Sequence, residues 1–345
     1  MENNTCNTIL LPAEWHPQSA VLLTWPHIDT DWKLLLDEVI PCFVAIAKAI
    51  LPHEKLIIVC DKTDHVKTAL GDADYSRILF RELPSNDTWA RDHGPITVIV
   101  NDKPYLLDFS FNGWGLKFPA NHDNQITKQL YDNNTFPSDV GYINMHQMVL
   151  EGGSIESDGQ GTILTTSQCL LSANRNDYKS QAEIDDYLQV LFGAKRILWL
   201  NHGYLAGDDT DSHIDTLARF CKPETIAYIR CTDPNDEHFK ELSLMEEELK
   251  QFRTADNKPY QLIPLPMAEA VYDGGERLPA TYANFLIIND AVLMPTYASP
   301  LDETAKNMLQ GVFPDRQIIG INCLPLIKQH GSLHCVTMQF PEKIN

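Results

Sequence analysis

One order of elements recurs along this chain although no stretch of sequence repeats: two short apolar runs, a helical stretch, then one more apolar run. The runs Ile96–Val100 and Tyr105–Phe109, split by Asn101-Asp102-Lys103, predict a hairpin, followed by a helix over Asn124–Tyr131 and a strand over Met148–Leu150. A second unit opens at Ser154 and turns at Asp158-Gly159-Gln160-Gly161. It continues with a helix Gln181–Phe192 stopped by Gly193, then a strand Arg196–Leu200. The third has Ile214–Phe220 and Thr225–Cys231, a helix Asp236–Phe252 and a strand Tyr260–Pro266. The fourth has Phe285–Ile288 and Ala291–Thr296 around Asn289-Asp290, a helix from Asp302 and a strand Gln317–Asn322. What remains is a strand His334–Phe340 at one end, and Ala20–Trp25, a helix Trp32–Leu51 and Lys55–Cys60 at the other. These complete a fifth unit only if the two ends pair.

The expectation is therefore an α/β fold: a five-bladed β/α propeller of ββαβ units with pseudo-five-fold symmetry, closed by pairing of the chain ends, with residues 1–345 as one catalytic domain. The competing reading is a generic α/β fold with a mixed order of elements.

The polar residues gather at the starts of the units. Asn86-Asp87-Thr88-Trp89-Ala90-Arg91-Asp92-His93-Gly94-Pro95 precedes the first hairpin and Glu151-Gly152-Gly153-Ser154 opens the second. Asp211-Ser212-His213-Ile214-Asp215 opens the third, and His330-Gly331-Ser332-Leu333-His334-Cys335 the last. In a ring these starts converge, bringing Asp92, Glu151, His213, Asp215 and Cys335 to one place. Such a set suits a guanidinium, a planar cation with five N–H donors that carboxylates bind in pairs. Asp92 and Asp215 are the candidate clamps and Cys335 the candidate nucleophile for the resonance-stabilised central carbon. His213, two residues before Asp215 on a predicted strand and so on the same face, is the candidate acid and base, with Glu151 holding its ring. This chemistry calls for no metal and no organic cofactor.

Each residue also has a plainer reading. A lone cysteine opening an apolar strand is most often core. His-x-Asp is compatible with half a metal site or a surface pair, Arg91-Asp92 with a local ion pair, Glu151 with an ordinary turn. Asp208, Asp209 and Asp211 lack the calcium-loop pattern and read as a solvated acidic loop. The joint placement, not any single residue, carries the reading.

Composition bounds the partners. The net charge of −20 disfavours nucleic acid and anionic membranes and suits a small cationic substrate. The eight cysteines never form Cys-x-x-Cys, against zinc ribbons and disulfide scaffolds, and no leader or membrane segment is evident, so a cytoplasmic location is expected. A homo-oligomer is left open.

In this order the motifs Asn86-Asp87-x-Trp89-x-Arg91-Asp92-x-Gly94-Pro95, Glu151-Gly152-Gly153-Ser154-Ile155, Asp209-Thr210 with His213-x-Asp215, and His334-Cys335-x-Thr337-x-Gln339 resemble the agmatine deiminase family. That family lies within the guanidino-group-modifying superfamily of five-bladed propellers (penteins). The resemblance spans nearly the whole chain. It implies that Cys335 forms a covalent amidino adduct served by His213 and Glu151, that Asp92 and Asp215 bind the guanidinium, and that Trp89 and Trp114 line the pocket. Related enzymes act on several arginine derivatives; the acidic composition and the absence of an evident leader favour a small cytosolic cation such as agmatine, giving N-carbamoylputrescine on a route to putrescine. His93, where the family has threonine, and His330-Gly331-Ser332-Leu333, where it has a glycine-rich run, depart from the pattern beside the site and leave the substrate tail open. Peptidyl or free arginine as substrate, an amidinotransferase and a non-catalytic propeller that binds ribosomes are the alternatives.

Overall fold

The computed structural model describes residues 8–177 and 179–342; Cys6 lies outside them. Five times the chain builds the same sheet: an antiparallel hairpin, a helix, and a third strand parallel to the second. Ile155–Ser157 and Thr162–Thr166 pair antiparallel, and Arg196–Leu200 adds parallel to the latter. Ala218–Lys222, Thr225–Arg230 and Gln261–Pro266 repeat this, as do Leu286–Ile288, Ala291–Thr296 and Gln317–Asn322. Ile96–Val100, Lys103–Ser110 and Gly141–Val149 do so with an extra antiparallel edge from Ile9–Leu10. The remaining sheet joins the chain ends: Thr337–Pro341 runs antiparallel to Gln18–Thr24, with Thr337 opposite Leu23 and Phe340 opposite Ala20.

Local sequence explains these elements. Lys55–Cys60 lies between two parallel neighbours and is buried from Leu56 onward, so its side chains are apolar on both faces. The helix Leu36–Ile50 buries Val39, Phe43, Ile46, Ala47 and Ile50, one helical face, against the core. The helix Gln181–Phe192 has the expected bounds: Ser180 and Glu183 form a capping box at its start, and Gly193, at φ 64°, ends it.

Several expectations are corrected. Ile214–Leu217 is a helical turn, and the strand begins only at Ala218. The last strand begins at Thr337, so His334 and Cys335 sit in the turn before it. Only a 3-10 turn, Asp31–Leu34, occupies the first part of the predicted helix 32–51. The helix Thr63–Leu70 and the strand Ile78–Glu82, which pairs parallel with Lys55–Cys60, went unrecognised because their apolar pattern is short and weak. No described helix is long and apolar enough to cross a membrane.

One buried carboxyl beside the chain-end sheet carries a cost. Glu54 accepts a 2.7 Å hydrogen bond from the Asn289 amide, its other oxygen has no partner among the described residues, and burial pushes it up to about 7. A folded-state value above the unfolded one means that stability falls as pH rises between them. Glu54→Gln is expected to stabilise the fold by about 2 kcal/mol at pH 8, with the gain shrinking toward pH 5. Urea melts at the two pH values check this.

Candidate active site

Short turns, not strands, carry the site. The single helical turn Ala90–His93 packs on the 3-10 turn Gly152–Ser154, which in turn packs on the helical turn Ile214–Leu217. The Arg91 amide donates to the Cys335 carbonyl at 3.1 Å, tying in the C-terminal turn. Gly153 makes the approach possible. A Cβ there would lie 2.6 Å from His213 Nδ1, 2.9 Å from Asp92 Oδ1 and 3.1 Å from Asp215 Oδ2. His213 and Asp215 thus reach one point through a helical turn, not by sharing a strand face as expected.

Asp92 is buried and held on both oxygens: Oδ1 accepts from the Gly153 amide at 3.0 Å and Oδ2 from the Trp114 indole N–H at 2.9 Å. Burial, with Asp215 and Glu151 nearby, pushes it up to about 6 against the opposing charge of His213. The His213 ring lies 3.7 Å from Asp92, and neither ring nitrogen has a hydrogen-bond partner among the described residues. Burial alone would lower its pKa, but Asp92, Cys169 and Glu151 raise it to about 10, so it is an imidazolium at neutral pH. Asp215 is fully buried. Its Oδ2 is bonded to His334 at 2.7 Å and its Oδ1 has no hydrogen-bond partner among the described residues.

Cys335 Sγ lies 3.4 Å from Asn284 Oδ1. Burial and the carboxylates of Asp215 and Asp92 push its thiol well above the ordinary range, so it is protonated while no cation is bound.

Glu151 does not hold His213 as expected. Both of its oxygens accept from Arg175 Nε, at 2.9 and 3.2 Å, and Arg175 also reaches Asp211 at 2.6 Å and the Thr210 carbonyl at 2.8 Å. The acidic loop is therefore partly tied down and not merely solvated: Asp211 also takes Lys117 at 2.8 Å. Arg91 is no partner of Asp92; it turns toward Glu14, 3.7 Å away. Glu151, Cys169 and His213 offer ligand atoms within 4.8 Å of one another, but a metal ion there would have to displace the Arg175 guanidinium from Glu151.

A cavity of about 390 Å³ opens onto Cys335, Asp92, Trp89 and Trp114, whereas Glu151, His213 and Asp215 stand behind its wall. Phe111 and Phe118 join the two tryptophans on one side, with Phe111 and Trp114 edge to face at 4.9 Å. Trp114 sits at φ 55° within a run of positive-φ residues from Gly113 to Leu116, a backbone strain sustained where its indole meets Asp92. The outer wall is acidic: Asp29, Asp31, Asp87, Asp123 and Asp209 line it, against Lys328 and His330, and among the described residues no arginine does. Burial pushes Asp87 and Asp123 up to about 7, aided by Asp31 on the first and Asp87 on the second. Lys328 is paired with Glu38 at 2.6 Å. His330 contacts the Gly207 carbonyl at 2.7 Å, and Gly331 lets Trp89 pack where a Cβ would lie 2.0 Å from its ring. His93 faces away from the cavity. Its Nε2 meets Thr24 Oγ1 at 3.2 Å, and burial lowers its pKa to about 3.

Asn284, Arg175, Cys169 and His334 were missed as site residues. Asn284 had a readable signal, since it opens the fourth hairpin at the place where the other units carry their polar groups. His334 adjoins Cys335. Arg175 and Cys169 lie in a helical stretch with no pattern to single them out.

A pocket of this charge, reaching Cys335 and Asp92 with the His213 imidazolium and the Asp215 carboxylate gathered behind its wall, is that of a guanidino-group-modifying enzyme. The chain belongs to the Porphyromonas-type peptidyl-arginine deiminase family, which it matches over residues 10–341. A curated agmatine deiminase of Pseudomonas aeruginosa is 31% identical over 356 residues, covering 96% of this chain and 95% of its own. A Porphyromonas gingivalis structure, provisionally named an arginine deiminase, is 57% identical with a TM-score of 0.94, covering 97% of this chain and 99% of its own. A Cys-to-Ser variant of C. jejuni agmatine deiminase, solved with substrate bound, is 35% identical with a TM-score of 0.92, covering 99% and 98%.

Proposed function

We propose that this chain is an agmatine deiminase, hydrolysing agmatine to N-carbamoylputrescine and ammonia through a covalent Cys335 intermediate. On this reading residues 1–345 form one catalytic unit, with the five sheets as blades of a propeller around the clustered turns. The observation that carries the substrate is the wall of the pocket. Its carboxylates welcome a second positive charge at the far end of the ligand, as in the ammonium of agmatine, and no arginine among the described residues awaits the carboxylate of arginine or of a C-terminal arginyl peptide. The curated agmatine deiminases among its relatives agree with this. The names of the family and of the P. gingivalis chain point instead to arginine.

The geometry suggests the steps. Asp92 and Asp215 take the guanidinium N–H groups and fix its plane. The positive charge brought between them offsets the carboxylates that hold Cys335 protonated, and the thiol gives its proton to solvent through the cavity, to be retaken once the cationic guanidinium has become a neutral ureido group and the product has left. The thiolate attacks the guanidinium carbon. The C–N bond to one amino group then breaks, and His213, as imidazolium, supplies the proton with which ammonia departs. That leaves an S-alkylthiouronium and neutral His213. Water then adds to the same carbon, giving one proton to His213 and one to the ammonia released as ammonium, and the C–S bond breaks to restore the thiolate. Arg175 fixes Glu151, whose charge keeps the imidazole basic.

Ammonia release from agmatine, arginine and a C-terminal arginyl peptide tests the reading. Agmatine is expected to lead in kcat/KM by about 100-fold or more. A lead for either arginine compound would reject it.

A further inference from the structure

Behind the site lies a buried charged network that the proposed steps do not use. Each of its members stands near a site residue in sequence: Arg91 beside Asp92, Glu156 beyond Gly153, Arg219 beyond Asp215, His334 beside Cys335. Glu14 joins them from the N-terminal segment, and all five side chains are buried. Arg219 bonds Glu14 at 2.9 Å and, very closely, Glu156, so a cation already occupies the place where Glu14, Glu156 and His334 might otherwise hold a metal. His334 is the link from this network to the site. Its Nε2 meets Glu14 Oε2 at 2.6 Å and Arg219 Nη2 at 3.1 Å, and its Nδ1 meets Asp215 Oδ2 at 2.7 Å. Because the only hydrogen-bond partner of Nδ1 among the described residues is a carboxylate, the ring proton on that side points to Asp215. The His334 amide is itself held by Asn284 Oδ1 at 2.9 Å, which fixes the ring's origin.

We propose that His334 is the positioning residue of the guanidinium clamp: anchored on Glu14 and Arg219, it binds one oxygen of Asp215 and so presents the partnerless Oδ1 to the substrate. This rests on Asp215 being a guanidinium ligand. The groups facing Asp215 are His213, Arg219 and Arg91 on the cationic side, Asp92 and Cys335 on the other, and His334, whose own pKa is lowered by burial and by Arg219 and Arg91. Burial would raise the Asp215 pKa, but the His334 hydrogen bond, then the charges of His213 and Arg219, keep it below the usual carboxylate range. Loss of the His334 contact should therefore misdirect the carboxylate and let it protonate at higher pH.

The test compares two amides in the full chain. His334→Asn places its NH₂ near the former Nδ1 and keeps a donor for Asp215, whereas His334→Gln places it near Nε2 and keeps the Glu14 side only. With whichever guanidino compound the wild type turns over, His334→Gln is expected to raise KM about tenfold or more and to move the acid limb of kcat/KM to higher pH. His334→Asn should retain at least about ten times the kcat/KM of the Gln variant. Equal KM values and equal acid limbs for the two variants would overturn the proposal, as would a more active Gln variant. If neither folds, Glu14→Gln decides. It neutralises the anchor and leaves the Asp215 contact, so a raised KM with a raised acid limb supports the role, and a wild-type profile overturns it. Failure of the wild type on agmatine while it turns over another guanidine rejects the substrate reading alone.

Discussion

Cys335→Ser is expected to reduce ammonia release from agmatine by about 10⁴-fold or more while the protein still binds agmatine and melts near the wild-type temperature. A hydroxyl is slightly smaller than the thiol and can still donate to Asn284, so the surroundings are little disturbed. What is lost is a nucleophile that the arriving cation can ionise, because a serine hydroxyl stays protonated under conditions where a thiol does not. Two measurements make the result specific. Mass spectrometry of acid-quenched wild type turning over should reveal an amidino adduct on the protein, absent from the variant. Agmatine should also raise the variant's melting temperature, since ligand that binds only the folded state stabilises it. Turnover undiminished in the variant would remove Cys335 from the chemistry.

Gly153→Ala is expected to lower kcat/KM by about 100-fold, the second-largest effect, although it adds one methyl to a residue that need not touch substrate. The backbone at Gly153 is not in the left-handed region, so alanine is tolerated conformationally and the cost is space alone. That methyl would lie against His213, Asp92 and Asp215 at once, at 2.6, 2.9 and 3.1 Å, and all three must shift. Overpacking of this kind costs about 1–3 kcal/mol of stability, too little to unfold a domain of ordinary stability. Loss of activity with a cooperative melt only a few degrees lower is the expected pair of results. An alanine variant of wild-type activity would show that the three groups are not as tightly gathered as described.

The fold was legible where the pattern was strong. Gln181–Phe192, Arg196–Leu200, Lys55–Cys60 and Gln317–Asn322 have the predicted bounds, since each is a complete apolar run or helical face with a clear stop. The errors cluster at the starts of the units. Ile214–Leu217 opens the predicted strand Ile214–Phe220, yet it coils into one helical turn, and the strand His334–Phe340 begins three residues late. Polar groups buried at the site make hydrogen bonds to distant residues, the His334 amide donating to Asn284 and its ring pairing with Asp215, and those bonds override local β preference.

By itself the sequence determined the recurrent strand-strand-helix-strand order, the pairing of the chain ends that completes the fifth unit, and the candidates Asp92, Glu151, His213, Asp215 and Cys335, because periodicity and motif spacing are local properties. Only the tertiary structure decided what each candidate touches. It gave Glu151 to Arg175, turned Arg91 away from Asp92, set Asn284 against Cys335 and His334 between Asp215 and Glu14. These partners are separated by 24 to 320 positions in the chain, and charge pairing across such distances depends on how the units turn toward one another, which no local pattern encodes.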